Sequence, residues 1–278
     1  MNLQHIFAQI EKEDPEVYAR MDTRRGAMQR FAGIGRKLSL AALPLALGSM
    51  FQKAYAGTRN VTDTAIDILN YALTLEYLEA EFYKNGIAAG TVLVPAGAPA
   101  NAIATIGAHE TAHVNFLTSA VKAAGGTPAT KPTFDFTAKG TFPTVFTVYE
   151  TFLAVAQTFE DTGVRAYKGR AAELVKGGDL LTAALNIHSV EARHASHIRQ
   201  MRKANNFGDV KPWITLKTSG INSTAVQASY DGEENTKQAT LEITNINGKG
   251  TSANAASEAF DEGLTKDQVL AIVKNFIV

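Results

Sequence analysis

Apolar residues recur every three or four positions in four long segments of the chain, which is the period of amphipathic α-helices. In the first segment, residues 61–89, the pattern includes Leu69, Ala72 and Phe82. The other three predicted helices span residues 101–124, 144–176 and 180–205. Gly, Pro and Thr are frequent between them, and Asp179 is the predicted N-cap of the fourth helix. The pattern therefore predicts an all-α fold, a four-helix bundle whose second connection is the longest.

The C-terminal part of the chain, residues 207–278, has a different pattern. It is rich in Thr, Ser, Asn and Gly, and its one alternating stretch, residues 239–246, predicts a strand. Thr265 and Gln268 have the spacing of a capping box, which predicts a last short helix running to Val278. We therefore expect a long C-terminal extension, partly irregular or β, that packs on a bundle formed by residues 57–206.

The N-terminal segment, residues 1–56, has the features of an export signal. A pair of arginines at positions 24 and 25 precedes a short apolar run, residues 38–50, and a small-x-small site ends at Ala56. The arginine pair indicates the twin-arginine route, although the residues after it depart from that motif. The apolar run is short for a spanning helix, so no stable transmembrane helix is expected after processing. We expect a periplasmic or cell-envelope protein; the alternative is an uncleaved N-terminus that anchors the protein to the membrane.

The composition of the chain limits the kinds of partner and metal site that it can have. The 278-residue chain has 27 Lys+Arg and 27 Asp+Glu, and residues 57 onward keep 19 basic and 22 acidic side chains. This mild negative charge argues against a nucleic-acid partner, which would need a basic surface. The chain has no cysteine, which excludes disulfides, iron–sulfur clusters, thiolate zinc sites and thiol catalysis. Any bound metal must therefore be held by histidine and carboxylate side chains.

Two Glu-x-x-His pairs provide such ligands. Glu110 and His113 lie in the second predicted helix, and Glu191 and His194 lie in the fourth. Residues three apart share one face of a helix, so the two side chains of each pair can reach the same metal ion.

The first and third predicted helices each contribute a glutamate on the apolar stripe. Glu76 is followed seven residues later by Tyr83, and Glu160 is followed seven residues later by Tyr167. A carboxylate in an apolar stripe is costly to bury unless a cation meets it. The chain thus consists of two helix pairs, each with a Glu-x6-Tyr unit followed by a Glu-x-x-His unit.

Four Glu and two His that face the interior of a bundle form the arrangement of carboxylate-bridged di-iron or di-manganese proteins. Residues 61–205 resemble the ferritin-like superfamily. The sequences of residues 67–83 and 191–194 are similar to those of its exported branch, which includes desiccation-related proteins. The resemblance implies two Fe or two Mn ions per chain. It implies Glu76 and Glu160 as terminal ligands, Glu110 and Glu191 as bridges, and His113 and His194 as caps of one ion each.

Four neighbouring residues are candidates for supporting these ligands. Tyr83 and Tyr167 are expected to hydrogen-bond the ligand carboxylates, with simple space filling as the alternative. Glu79, one turn after Glu76, is an extra ligand, a supporting group or an exposed charge. His188 is either a hydrogen-bond partner of the site or an ordinary core histidine. By helical phase, we expect three further side chains to face away and be solvated: Glu81, His109 and His197.

Oxygen and imidazole ligands suit Fe or Mn, so O2 or hydrogen peroxide is the expected co-substrate. One hypothesis is a redox enzyme, either a ferroxidase or a peroxide-removing enzyme similar to manganese catalase. The alternative is a metal-binding protein that protects against desiccation or stress without turnover. A third reading, the fold with an empty site, is disfavoured by the complete ligand set. We leave open whether the chain forms a homodimer.

Overall fold

The structure is a computed structural model, and it describes residues 62–174, 177–248 and 250–278. The predicted export signal, residues 1–56, lies outside the described residues. Within the described part of the chain, no helix is both long and apolar enough to cross a membrane.

Four long helices dominate the described residues. They are α1 (Thr62–Ala89), α2 (Ala98–Ala123), α3 (Tyr149–Ala171) and α4 (Asp179–Ala204). The most extensive packing is that of α1 against α2 and of α3 against α4, so the bundle consists of two helical hairpins. The connection between the hairpins, residues 124–148, is the longest of the three. The predicted all-α bundle is confirmed.

Two details at the start of helices differ from the prediction. The third helix begins at Tyr149 rather than at residue 144, because Val148 has extended dihedral angles (φ −123°, ψ 118°) that interrupt the helix. Asp179 is not an N-cap: Gly178 has that position with φ +50°, and its cap lacks a side-chain hydrogen bond. Asp179 instead begins α4, where its negative charge is favourable near the positive end of the helix dipole.

The core is centred on aromatic side chains at one end of the two hairpins. Phe82 of α1 stacks on Phe152 of α3 with 4.9 Å between ring centroids, and Phe159 meets Phe82 edge to face at 5.1 Å. All residues from 152 to 167 of α3 are buried, because α1, α4 and the C-terminal extension surround this helix. The central helix of the molecule is therefore α3.

The predicted strand at residues 239–246 is confirmed only for Leu241–Glu242. Among the described residues of the extension, the strands form a minimal antiparallel hairpin, β1 (Lys237–Gln238) and β2 (Leu241–Glu242), which is followed by a 3₁₀ helix, Ile243–Gly248. Ala239 and Thr240, the first two residues of the predicted strand, have positive φ angles and form the turn between β1 and β2. An alternating pattern becomes a strand only where a neighbouring strand pairs with it, and the pairing here ends after two residues.

The end of the chain agrees better with the sequence. A short helix α5 (Ala253–Ser257) precedes α6 (Lys266–Val273). The capping box is confirmed. The Thr265 hydroxyl accepts from the backbone N–H of Gln268, and the side-chain oxygen of Gln268 accepts from the backbone N–H of Thr265. The chain then forms a 3₁₀ turn, Lys274–Phe276, and the predicted helix thus ends before Val278.

Buried arginines join the extension to the bundle. Arg165 of α3 donates to the carbonyl oxygens of Ser229 (2.7 Å), Asp231 (2.9 Å) and Glu262 (2.8 Å), and it forms an ion pair with Glu233 (2.7 Å). The extension thus supplies acceptors for a guanidinium that has only 1% exposure.

Candidate metal centre

Each of the four long helices places one glutamate at a common depth in the bundle. These residues are Glu76 on α1, Glu110 on α2, Glu160 on α3 and Glu191 on α4, and the exposed fraction of each is 0%. Four carboxylates in a bundle interior require compensation, because an ionised carboxylate loses most of its hydration there.

The first histidine stands among three of these carboxylates. Nδ1 of His113 lies 3.2 Å from Oε2 of Glu76, 3.2 Å from Oε2 of Glu110 and 3.2 Å from Oε1 of Glu191. A single N–H cannot satisfy three acceptors at once. Metal–ligand bonds of about 2.1 Å in octahedral geometry place adjacent ligand atoms about 3.0 Å apart. The spacing of these four atoms therefore fits ligands gathered around one ion.

The second histidine repeats the arrangement. Nδ1 of His194 lies 2.7 Å from Oε1 of Glu110 and 3.4 Å from Oε2 of Glu160. Although the first contact is short, neither atom has a hydrogen bond of acceptable angle within the described residues. Nδ1 of His194 and Oε1 of Glu110 therefore lie close without a directed N–H···O bond, an arrangement that suits two ligands of one cation better than a donor and its acceptor.

The ligand atoms form two groups that share members. Glu76, Glu110, His113 and Glu191 form one group, and Glu110, Glu160, Glu191 and His194 form the other. Within each group the ligand atoms lie within 4.8 Å of one another. The shared residues, Glu110 and Glu191, are the two for which the ferritin-like resemblance implied bridging. The structure thus brings all six predicted ligands together, while metal binding by them stays a prediction.

Unpartnered oxygen atoms provide an independent test of the fit. Oε2 of Glu160 and both carboxylate oxygens of Glu191 are buried without a hydrogen-bond partner among the described residues. Leaving a buried acceptor unpaired costs about 1–3 kcal/mol, and more for a charged group. A cation between these oxygens would remove that cost, so the residues present fit a metal centre.

The electrostatics of the cluster lead to the same conclusion. Burial raises the pKa of Glu76 to about 8, although the hydrogen bond from His113 opposes the shift. Burial also acts to raise the pKa of Glu110, but the hydrogen bond from His113 and the nearby imidazole of His194 lower it to about 2. Burial alone would lower the pKa of both histidines, yet the surrounding carboxylates raise it to about 12 for His113 and about 10 for His194. The cluster stabilises positive charge.

Two buried tyrosines hold the outer carboxylates. The hydroxyl of Tyr83 donates to Oε1 of Glu160 at 2.5 Å, and the hydroxyl of Tyr167 donates to Oε1 of Glu76. Burial, together with the nearby carboxylates, raises the pKa of both phenols well above the ordinary value, so they stay neutral donors. Each tyrosine leaves the second oxygen of its glutamate facing the centre.

A comparison with protein families identifies the fold. A family model described as a ferritin-like domain matches residues 64–204, slightly more than half of the chain. The chain belongs to the ferritin-like domain family. The match includes nearly the whole of the four long helices and all six candidate ligands, and it supports the superfamily resemblance found in the sequence. No curated protein matches the chain.

The ferritin-like domain contains one more buried carboxylate at the edge of the centre. Glu79 is 3% exposed and its Oε2 has no hydrogen-bond partner in the described part of the chain, so it is not an exposed charge. Burial and then the charge of Glu191 raise the pKa of Glu79 well above its ordinary value. A Cβ at Gly163 would lie 3.1 Å from Oε1 of Glu79 and 3.5 Å from Oε2 of Glu191. The glycine therefore gives both carboxylates room.

The sequence prediction missed the role of His109. Its side chain is largely exposed, as predicted, but its Nδ1 lies 3.0 Å from Nε2 of His194, and the two rings stack at 5.2 Å. His109 therefore holds the nitrogen of His194 that faces away from the carboxylates. The helical phase does not predict this contact, because His109 lies outside the helix face that carries Glu110. The only indication in the sequence is its spacing of four residues from His113.

The remaining candidates lie outside the centre. Nδ1 of His188 is 3.0 Å from the backbone oxygen of Val164, so this histidine pairs with α3 and with none of the carboxylates. Glu81 forms an ion pair with Lys131, and His197 is exposed. His188 is thus a structural residue of the ferritin-like domain.

Proposed function

We propose that this protein is an exported ferritin-like protein that binds two Fe or two Mn ions per chain and reacts with O2 or hydrogen peroxide in protection against stress. The reaction is either ferroxidation or peroxide removal. The observation that carries the proposal is the pair of four-residue groups that share the fully buried Glu110 and Glu191.

The donor set suits these metals. Carboxylate and imidazole ligands favour Fe and Mn over softer ions. When bound, two such ions would exchange two electrons with one molecule of O2 or peroxide. Glu110 and Glu191 would hold both ions, and Glu76 and Glu160 would each hold one.

The other residues keep this site in place. Tyr83 and Tyr167 fix the orientation of the terminal carboxylates through their hydroxyl groups. The bond between His109 and His194 fixes the imidazole plane, and such support usually strengthens metal binding. The four glutamates are 0% exposed, and this burial strengthens the electrostatic interactions among them.

Metal analysis of the purified protein tests the site. We expect about two Fe or Mn ions per chain by plasma mass spectrometry and near-complete loss in the Glu110→Ala/Glu191→Ala variant. The matched control is Glu81→Ala/Glu150→Ala, which removes two carboxylates from bundle helices outside the cluster and should keep the metal. A stoichiometry near zero in protein produced with ample metal would refute the proposal.

Stopped-flow mixing of the reduced, metal-loaded protein tests turnover. Repeated consumption of O2 with added Fe(II) indicates a ferroxidase, and O2 release from peroxide indicates a catalase-like enzyme. A protein that retains two ions but turns over neither oxidant would be a non-catalytic, metal-binding stress protein, and the redox part of the proposal would be wrong.

N-terminal sequencing of the exported form tests processing after Ala56; a start at Met1 would contradict cleavage.

A further inference from the structure

A groove opens between α2 and α4 on the outside of the bundle. These two helices contact each other far less than the helices within each hairpin do, and the groove between them has a volume of about 720 Å³. It follows α2 from Ala98 to His109, a length of about 16 Å at the helical rise per residue. His194, a candidate metal ligand, is part of its lining.

The lining changes in character along the groove. Its middle section is mostly apolar, with Ala102, Ile106 and Met201 as walls and Thr105 between them. At the end that adjoins the metal centre it has three polar or basic side chains besides His194: His109, Arg193 and His197. None of the described residues that line the groove is acidic. Since a path for metal cations would present carboxylates, the groove suits a molecule with an apolar body and an anionic head.

Two side chains of the groove have unused hydrogen-bonding capacity. Arg193 is exposed and has no carboxylate partner among the residues that the structure describes. At the other end, Tyr149 packs its ring against Phe207, and its buried hydroxyl has no hydrogen-bond partner among residues 62–174, 177–248 and 250–278. Small oxidants need neither an apolar wall of this length nor a guanidinium, so the groove suits a larger molecule than O2 or peroxide.

We propose that this groove binds an amphipathic organic carboxylate. Its head group lies at Arg193 and His109, beside His194, and its apolar body lies along Ala102 and Met201. The role of the bound carboxylate rests on the proposed function, because a head group beside His194 can react only if the metal is present. The binding itself needs the groove alone.

Isothermal titration calorimetry with the metal-containing protein tests the proposal, with decanoate as the probe. We expect decanoate to bind with one site per chain, decan-1-ol to bind roughly tenfold more weakly, and decylamine not to bind. Arg193→Glu should weaken decanoate binding at least about tenfold, whereas Lys84→Glu, the same charge reversal on exposed α1 surface, should leave it unchanged. Equal binding of decanoate and decylamine would overturn the proposal.

A second pair of variants tests the apolar wall. Ala102→Trp should fill the groove and abolish binding, while Ala104→Trp places the same side chain at an exposed position of α2 outside the groove and should not. Unchanged binding by folded Ala102→Trp protein would refute the site. Metal content is measured on the same samples. If the protein holds two ions but does not bind decanoate, the proposed binding in the groove is refuted and the proposed function is not. If the protein binds decanoate but holds no metal, the proposed function is refuted and the binding in the groove is not.

Discussion

At the scale of single residues, the two buried tyrosines pair with the glutamates in a reciprocal way. Tyr83 of α1 donates to Glu160 of α3, while Tyr167 of α3 donates to Glu76 of α1. Each tyrosine lies two helical turns after the glutamate of its own helix. Because α1 and α3 belong to different hairpins, these bonds connect the hairpins across the centre, and they fix the carboxylates from the side opposite the expected ions.

Removal of either hydroxyl tests this role. In Tyr83→Phe and Tyr167→Phe a buried carboxylate oxygen loses its donor, so we expect metal affinity to fall about 10–100-fold. The free energy of unfolding of the metal-free protein should fall by about 1–3 kcal/mol. Competition with a chromophoric chelator and urea unfolding measure the two effects. Tyr71→Phe is the matched control on α1, because its buried hydroxyl has no hydrogen-bond partner within the described residues; an equal loss there would contradict the assigned role.

The positions brought together at the centre were predictable because a helix has a fixed period. A Glu-x-x-His unit shares one face in any helix, and the apolar stripe shows which face turns inward. The environment of His109 was not predictable in this way. The phase of a residue specifies a direction from the helix axis, but it does not specify which helix lies in that direction. His194 reaches His109 because α4 lies beside α2, and only the packing of four helices determines that neighbour.

At the scale of elements, α3 differs from an ordinary amphipathic helix. In an ordinary amphipathic helix, polar residues such as Gln157, Asp161 and Arg165 lie on a solvated face. All three are buried, because the C-terminal extension covers that face and supplies their partners. Tyr230 of the extension, for example, donates to Asp161 at 2.9 Å. The sequence of a helix does not show whether water or another segment meets its polar face.

The contact between α3 and the segment before α6 gives a prediction with an unusual sign. In a helix, Gly→Ala normally stabilises by up to about 1 kcal/mol. A Cβ at Gly169, however, would overlap the backbone oxygen of Leu264, whose backbone amide donates to the backbone oxygen of Arg165 at 3.0 Å. We therefore expect Gly169→Ala to destabilise the protein by about 1–3 kcal/mol in urea unfolding, because the backbones must separate.

The control for this substitution is Gly250→Ala, where no atom lies within 4 Å of the added Cβ. Its effect should stay within about 0.5 kcal/mol, the usual range for surface substitutions. Stabilisation by Gly169→Ala would mean that helix propensity outweighs the contact, and the close packing of the extension on α3 would then be in doubt.

At the scale of the whole molecule, the bundle and the extension share one set of buried polar groups. Arg202 of α4 donates to Gln157 at 2.5 Å and to the backbone oxygens of Phe207 (2.7 Å) and Gly220 (2.8 Å). Arg199 forms a buried ion pair with Asp161. The extension therefore completes the interior of the molecule, since without it these arginines would be partly unpaired in an apolar setting.

This part of the molecule was the least predictable from sequence. Composition separated residues 207–278 from the bundle, and the capping box located the last helix. The acceptors that bind the buried arginines are mostly backbone oxygens, which every residue type carries, so no residue pattern marks them. An arginine within a helical pattern is ordinarily exposed, and its burial depends on a distant segment that covers it.

The ion pair between Arg165 and Glu233 tests how much the extension contributes to stability. Both side chains are 1% exposed, and burial raises the pKa of Glu233 to about 7 although Arg165 opposes the shift. In Arg165→Met the carboxylate and three backbone oxygens lose their donor. We expect the free energy of unfolding to fall by about 3–5 kcal/mol at pH 8, because one buried charge remains without a partner.

The pH dependence separates this charge effect from loss of packing. The pKa of Glu233 is higher in the folded state than its ordinary 4.5, so the folded protein binds this proton more tightly. The contribution of Glu233 to stability therefore falls as pH rises from about 4.5 through 7. The destabilisation by Arg165→Met should accordingly be smaller at pH 6 than at pH 8, and Glu233→Gln should abolish that difference.

Arg193→Met, which removes an exposed arginine from α4, should change stability by less than about 0.5 kcal/mol at either pH. A pH-independent loss in Arg165→Met would show that its guanidinium acts through packing and its bonds to backbone oxygens rather than through the charge of Glu233.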